Sequence, residues 1–184
     1  MANVARNAAG IMAVGAVLLS PHRACAAEDP AVIRIPGSHV RSDSTQLSRL
    51  IDEAKEQSPT FRRLVETIDA RDGIVFIQEG ACRRSVRACL YAVSAAAKHR
   101  MLWVKVDTRK RLDLFVMGSI GHELRHAIEV LDEPSVTSSS MMYFLYRRIG
   151  YDVTSHSAET YTAVRAGNDV RGEVKAFNRR SKVQ

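Results

Sequence analysis

Two histidines and a glutamate lie close together at residues 121–130, which read GHELRHAIEV. His122 and His126 are four positions apart, so on an α-helix both imidazoles project from the same face, one turn apart. Two imidazoles in this arrangement can bind one tetrahedral Zn²⁺ ion. Glu123 follows the first histidine and would lie beside the metal, where its carboxylate can take a proton from a zinc-activated water. The spacing therefore predicts a zinc site in which His122 and His126 are ligands and Glu123 is the catalytic base.

The residues around this motif indicate that it belongs to a helix packed on the core. Ile120, Leu124 and Ile128 recur at helical spacing within a helix predicted over residues 112–131. Two histidines on such a helix are costly to bury unless a further group satisfies their nitrogens. A bound metal does so, and the context therefore favours a metal site over a chance match.

A zinc site needs a third protein ligand, and several residues compete for that role. Glu129 is two turns from His122, too far to share the metal easily, and is better interpreted as a partner behind the ligands. Asp132 fits a ligand pattern that requires glycine where this chain has Glu129. Glu159, predicted at the start of the last helix, is the favoured third ligand, and His156 is its main competitor.

Hydrolysis of a peptide bond is the reaction that these residue types favour. Glu123 would accept a proton from the attacking water and deliver it to the leaving amine. A further group must stabilise the developing oxyanion, and His156, Tyr151 and Tyr161 are candidates because each is close in sequence to the favoured third ligand. A strand predicted at 101–106 would bind an extended peptide substrate through its edge.

The elements that must position these side chains follow from apolar spacing and turn signals. A helical pattern starts at Ser44, and Ser58 is a typical helix N-cap with Pro59 at the first helical position. Three β-rich segments then come in close succession, which indicates a small antiparallel sheet. The prediction is an α+β fold with helices starting at Ser44 and Ser58, strands at 74–77, 89–94 and 101–106, and helices at 112–131, 138–149 and 158–177.

The chain is expected to have four parts. An arginine, an apolar stretch at 8–19 and a small-residue cleavage pattern are together typical of a secretory signal peptide. The parts are this signal peptide at 1–27, an extended lead-in at 28–43 with a short strand at 32–35, a single domain at 44–178 and a frayed basic tail at 179–184. We therefore expect export to the periplasm or the exterior, and the apolar stretch is too short for a stable membrane span.

Two cysteines remain after the expected cleavage, Cys82 and Cys89, with six residues between them. A pair of cysteines in an exported domain indicates a disulfide. The loop is short enough to close, and the bridge would hold the connection between two strands.

The charge of the chain argues against one class of partner. The formal net charge is +7, but the basic residues are scattered, with no run of five and no basic strand bearing aromatic residues. Such a pattern is typical of a solvated surface and not of a nucleic-acid site. The basic end FNRRSK is a candidate for contact with an anionic envelope polymer.

Two stretches carry a resemblance to known proteins: IGHELRHAIEVL at 120–131 and SAETYTAVRAGNDV at 157–170. They resemble the HExxH zincins of the gluzincin type, and are similar to small exported bacterial HExxH proteins of unknown function. The resemblance implies a zincin-like fold, one Zn²⁺ held by His122, His126 and Glu159, and Glu123 as the base of a metallopeptidase. The alternative is a zinc-binding envelope protein that has lost catalysis and has a structural or binding role.

Overall fold

The computed structural model describes residues 37–82, 86–109, 111–154 and 157–182. The signal peptide expected at 1–27, the strand expected at 32–35 and His156 lie outside the described residues. No helix within those four ranges is both long enough and apolar enough to cross a bilayer.

The two helices expected after Ser44 and Ser58 are confirmed as α1 (Thr45–Gln57) and α2 (Pro59–Asp69). The hydroxyl of Ser44 accepts a hydrogen bond from the backbone N–H of Leu47, and Ser58 does the same for Phe61. Each serine satisfies a helix N–H that has no partner within the helix. The apolar spacing after Ser44 and the N-cap at Ser58 were therefore enough to place the start of each helix.

The sheet is mixed, so the expected antiparallel sheet is wrong. Its strands are β1 (Val40–Arg41), β2 (Gly73–Glu79), β3 (Ala88–Ala96) and β4 (His99–Val106), in the order β1-β2-β4-β3. Strand β2 is parallel to β1 and to β4, and β3 is antiparallel to β4. Because β4 has a neighbour on both sides, its segment 101–106 has no free edge for a peptide, and that expectation is also wrong.

The burial of β4 and β3 differs because β4 lies between two strands and β3 lies at an edge of the sheet. The alternate residues Leu102, Val104 and Val106 of β4 are fully buried, whereas most of β3 is partly or wholly exposed. Strand β4 pairs with β2 on one edge and with β3 on the other, so both its edges and one of its faces are covered. The β3–β4 turn contains Ala97 with φ of 53°, a left-handed conformation that glycine usually adopts, so the sequence carried no hairpin signal.

The second half of the chain forms α3 (Leu114–Leu131), α4 (Ser139–Ile149), β5 (Tyr151–Thr154), β6 (Ser157–Glu159) and α5 (Tyr161–Arg180). The helices expected at 112–131 and 138–149 are confirmed. The last helix begins after Thr160, whose extended backbone and side-chain bond from the N–H of Ala163 make it the N-cap. Glu159 therefore ends a short strand, and its expected position at the start of a helix is wrong.

Arg100 anchors the C-terminal end of α3 to the sheet. Its guanidinium donates to the backbone oxygens of Val130, Leu131 and Glu133 and to the carboxylate of Asp72. Carbonyls in the last turn of a helix lack the regular intrahelical donors, and the guanidinium supplies donors to three carbonyls at this end of α3. Arg100 is only 5% exposed, so this buried cation depends on these acceptors.

The disulfide between Cys82 and Cys89 is confirmed, with their Cα atoms 6.0 Å apart. It closes the connection from β2 to β3. The bridge therefore fixes the start of the strand that lies nearest to Glu123, as described below.

Helices α3 and α5 approach closely where both carry glycine. A Cβ on Gly167 would lie 2.9 Å from the carbonyl oxygen of Gly118 and 3.1 Å from Cβ of His122. The backbone of α5 therefore lies directly against the helix turn that carries His122. Glycine at 167 lowers the intrinsic helix propensity, but it permits this contact.

Alanine substitutions of two glycines on α5 should have opposite effects. We expect Gly167→Ala to lower the free energy of unfolding by about 1–3 kcal/mol, because the added methyl group overlaps α3. Gly172→Ala is the matched control, since nothing lies within 4 Å of its Cβ position. It should raise stability by about 0.5–1 kcal/mol through helix propensity. Urea unfolding measures both, and equal effects would contradict the proposed close contact.

Candidate metal centre

Three side chains from two separate elements converge at one point. His122 and His126 come from α3, and Glu159 comes from the end of β6. One potential ligand atom from each residue lies within 4.8 Å of the others. His122 Nε2 is 2.8 Å from Glu159 Oε2, and His126 Nε2 is 3.5 Å from the same oxygen. This group of residues could hold a metal ion.

The surroundings of Glu159 Oε2, which both histidines approach, indicate whether a cation would fit at this point. Glu159 Oε2 is buried, and within the described ranges no group gives it a hydrogen bond of good geometry. Its neighbours are the two imidazole Nε2 atoms. A buried carboxylate oxygen without a donor is energetically costly, and a metal shared with the two nitrogens removes that cost. The residues present therefore fit a metal ion.

The contact that His126 makes through Nδ1 determines which ring nitrogen faces the site. His126 Nδ1 is 2.9 Å from Glu129 Oε2. Burial opposes ionisation of Glu129, but hydrogen bonds from His126 and Thr162 outweigh burial and lower its pKa. An ionised carboxylate only accepts hydrogen bonds, so Nδ1 must carry the proton. In a neutral ring, Nε2 then presents its lone pair to Glu159, and a cation between the two acceptors satisfies both.

The charges around His126 strongly favour a cation. Burial disfavours the imidazolium, but the Glu129 carboxylate at Nδ1 and the nearby Glu159 carboxylate outweigh burial and raise the pKa of His126 to about 9. Burial would likewise raise the pKa of Glu159, but the two neighbouring imidazoles hold that pKa at about 2. The carboxylates therefore remain ionised and attract positive charge, either a proton or a metal ion, to this point.

Glu123 lies beside the group and is held by the sheet. Its Oε2 accepts a hydrogen bond of 2.7 Å from the backbone N–H of Leu90 on β3. Burial is the main cause of a raised pKa for this carboxyl group. A buried carboxylate with a raised pKa, oriented by one hydrogen bond, is suited to accept a proton.

Tyr146 completes the wall of the site and was missed in the sequence. Its ring packs edge-on against His126, with centroids 4.9 Å apart, and its hydroxyl donates to the backbone oxygen of His126 at 2.8 Å. The residue lies on α4, one turn after the buried Met142. That spacing indicates an inward-facing side chain, but only the fold shows that it meets a ligand.

The other predicted site residues have different surroundings. Asp132 caps the C-terminal end of α3 and binds Arg71 at 2.6 Å, so it does not join the ligand group. Tyr151 is paired with Glu159 across the β5–β6 ladder, and its ring is 4.7 Å from that of Tyr161. Both tyrosines are exposed beside the site.

Comparisons with protein-family models, curated proteins and solved structures found no match to this chain. The resemblance to gluzincins therefore depends on the quoted motifs alone. What the structure establishes is an α+β fold with a mixed four-stranded sheet, in which a HExxH helix and a glutamate from a downstream strand form a group that could bind a metal ion.

Proposed function

We propose that the protein is an exported zinc-dependent metallopeptidase. The metal is held by His122, His126 and Glu159, and Glu123 is the general base. One observation carries the proposal: two imidazole Nε2 atoms converge with a buried carboxylate oxygen that accepts no hydrogen bond from the described residues, and a second buried carboxylate interacts with all three. The two imidazoles and the first carboxylate are the ligands. The second carboxylate is not a ligand, and it lies close to the ligands in sequence.

The donor set supports zinc over other common metals. Two imidazole nitrogens and one carboxylate oxygen form a frequent ligand set for catalytic zinc, which keeps a further position open for water or substrate. Calcium and magnesium instead prefer sites built wholly from oxygen atoms. A closed structural zinc site would normally have four protein ligands.

The residues of this chain have separate roles in the proposed reaction. Zinc, when bound, supplies Lewis acidity that lowers the pKa of a water and polarises a carbonyl. Glu123 takes a proton from the attacking water and transfers it to the leaving amine. The N–H of Leu90 restrains one oxygen of Glu123, which supports an orientation toward the metal group. Tyr151 and Tyr161 remain candidates for stabilising the oxyanion.

The position of β3 supports an extended peptide as the substrate. Strand β3 forms an edge of the sheet, and Leu90 on this strand contacts Glu123. The C-terminal half of β3 is covered by α4, since Ser139 bonds to Val93 and Ser138 forms a bridge with Ser94. Because the N–H of Leu90 already binds Glu123, a peptide at this edge would lie beside the proposed base and would not pair along the whole strand.

Location outside the cytoplasm is part of the proposal. The disulfide is compatible with export, because such bridges persist in oxidising compartments. Arg179 and Arg180 end α5 and are exposed, which supports contact with an anionic envelope polymer.

The function is tested by incubating the zinc-loaded protein, without its expected signal peptide, with unstructured polypeptides and cell-wall peptides. We expect cleavage that a chelator stops and that added zinc, but not magnesium, restores. New amino termini appearing during the reaction measure it. Bound zinc without cleavage of any substrate would favour the non-catalytic envelope protein, and absence of zinc binding would overturn both functions.

A further inference from the structure

Glu129 is buried on α3, and its carboxylate contacts both a metal-binding histidine and the start of α5. Its Oε2 is 2.9 Å from His126 Nδ1. Its Oε1 accepts hydrogen bonds from the hydroxyls of Thr160 at 2.7 Å and Thr162 at 2.5 Å. The side chain is only 7% exposed. One carboxylate therefore connects a metal-binding histidine to the start of α5.

We propose that Glu129 is a positioning residue of the metal centre, which fixes the ring of His126 and, through Thr160 and Thr162, the segment that carries Glu159. This inference rests on the proposed zinc site and extends it. A single carboxylate that is not itself a ligand would then hold two ligands from different elements in place.

The first half of the proposal concerns the histidine ring. The Glu129 carboxylate accepts from Nδ1, so the ring is held with Nε2 toward Glu159. Tyr146 packs on the ring from another side, but its hydroxyl bonds to the His126 backbone and cannot select the ring nitrogen. A carboxylate behind a histidine ligand orients the ring and makes it a stronger donor to a metal. Glu129 therefore controls the tautomer of His126.

The second half concerns the third ligand. Thr160 directly follows Glu159 in the chain, and its hydroxyl donates to Glu129 while accepting the N-cap bond from Ala163. Thr162 adds a second donor from the first turn of α5. These two bonds hold the junction between β6 and α5 on the surface of α3. Glu159, one residue away, is thereby restrained next to the two histidines.

Stability alone does not account for a carboxylate at this position. The neighbouring core positions Ile128, Val130 and Leu131 of α3 are apolar and buried. Replacing a buried charge by a well-packed apolar residue is often neutral or stabilising. Ligand positioning requires a carboxylate here, because it accepts hydrogen bonds from donors on three sides. Simple core packing does not require a carboxylate at this position.

The test compares zinc binding by the unmodified protein, Glu129→Ala, Glu129→Gln and Thr162→Val. Zinc affinity is measured by competition with a chromophoric chelator, and Co²⁺ in place of zinc reports ligand geometry through its visible spectrum. We expect Glu129→Ala to weaken zinc binding about 10- to 100-fold and to alter the cobalt spectrum. Glutamine can still accept from Nδ1, so Glu129→Gln should recover most of this loss. Thr162→Val should weaken binding by a smaller factor.

Glu173→Ala is the matched control. Its carboxylate also binds two hydroxyls at the start of a helix, those of Ser58 and Thr60, but it serves α2 and not the metal centre. We expect it to lower thermal stability and leave the zinc affinity unchanged. An equal loss of zinc affinity in Glu173→Ala and Glu129→Ala would show that stability is the cause and would overturn the role of Glu129.

The outcomes separate this inference from the proposed function. Failure of the unmodified chain to bind zinc would overturn the proposed function itself. If the unmodified chain binds zinc and Glu129→Ala has the same affinity and cobalt spectrum, only the positioning role fails. Should Glu129→Ala not fold, Thr162→Val decides: a weaker zinc affinity or an altered cobalt spectrum supports the role, and unchanged affinity with an unchanged spectrum overturns it.

Discussion

Glu123→Gln is expected to lower kcat/KM for peptide cleavage by about 10²–10⁴-fold while zinc remains bound, because the substitution removes a general base and no ligand. Glutamine has nearly the same shape as glutamate. Its carbonyl oxygen can still accept the hydrogen bond that the N–H of Leu90 gives to Glu123. The fold and the site geometry should therefore persist, and only the proton acceptor is lost.

The control for this substitution is Glu133→Gln. Glu133 lies just beyond α3 and pairs with Arg148 at 2.7 Å on the surface. The same chemical change at that position should leave cleavage and zinc content at their original values. The initial rates of cleavage and the zinc contents of the unmodified protein and the two variants are compared. Cleavage by Glu123→Gln at the rate of the unmodified protein would exclude Glu123 as the base.

Glu159→Ala is expected to weaken zinc binding by more than the roughly 10- to 100-fold that loss of a supporting partner costs, because it removes a direct ligand. The carboxylate oxygen that both histidines face would be gone. The two imidazoles alone hold zinc less tightly, since three protein ligands are the usual minimum for a catalytic site. Competition with a chelator measures the affinity.

Asp132→Ala is the matched control for Glu159→Ala. Asp132 is the other acidic residue that the sequence offered as a third ligand, and it binds Arg71 at the end of α3. Its loss should leave zinc affinity unchanged. If Glu159→Ala instead binds zinc as tightly as the unmodified protein, the third ligand is another residue, and His156→Ala becomes the next variant to measure.

The part of the site that could be predicted from sequence is the part governed by local periodicity. Four-residue spacing places His122 and His126 on one face whatever the rest of the fold does. The helical pattern from Ser44 and the N-cap at Ser58 depend on nearby residues alone, so they too are visible in the sequence. The short loop between Cys82 and Cys89 belongs to the same class of local constraint.

The features that were wrong or missed depend on contacts between distant segments. Strand β4 lies in the interior because it pairs in parallel with β2, which precedes β3 in the chain, and no turn signal reveals that pairing. Arg100 is buried because it meets the carbonyls at the end of α3, about thirty positions later in the chain. Glu159 was expected on a helix because the N-cap role of Thr160 was not recognised. Local propensity cannot decide such cases, since tertiary contacts override it.

The most direct measurement is the zinc content of the protein and of its His126→Ala variant, each purified without added metal and analysed by mass spectrometry for bound metals. The proposed site predicts about one zinc per chain in the unmodified protein and almost none in the variant. No zinc in the unmodified protein after exposure to a slight excess of zinc, or the same amount in both proteins, would contradict the assignment of this centre.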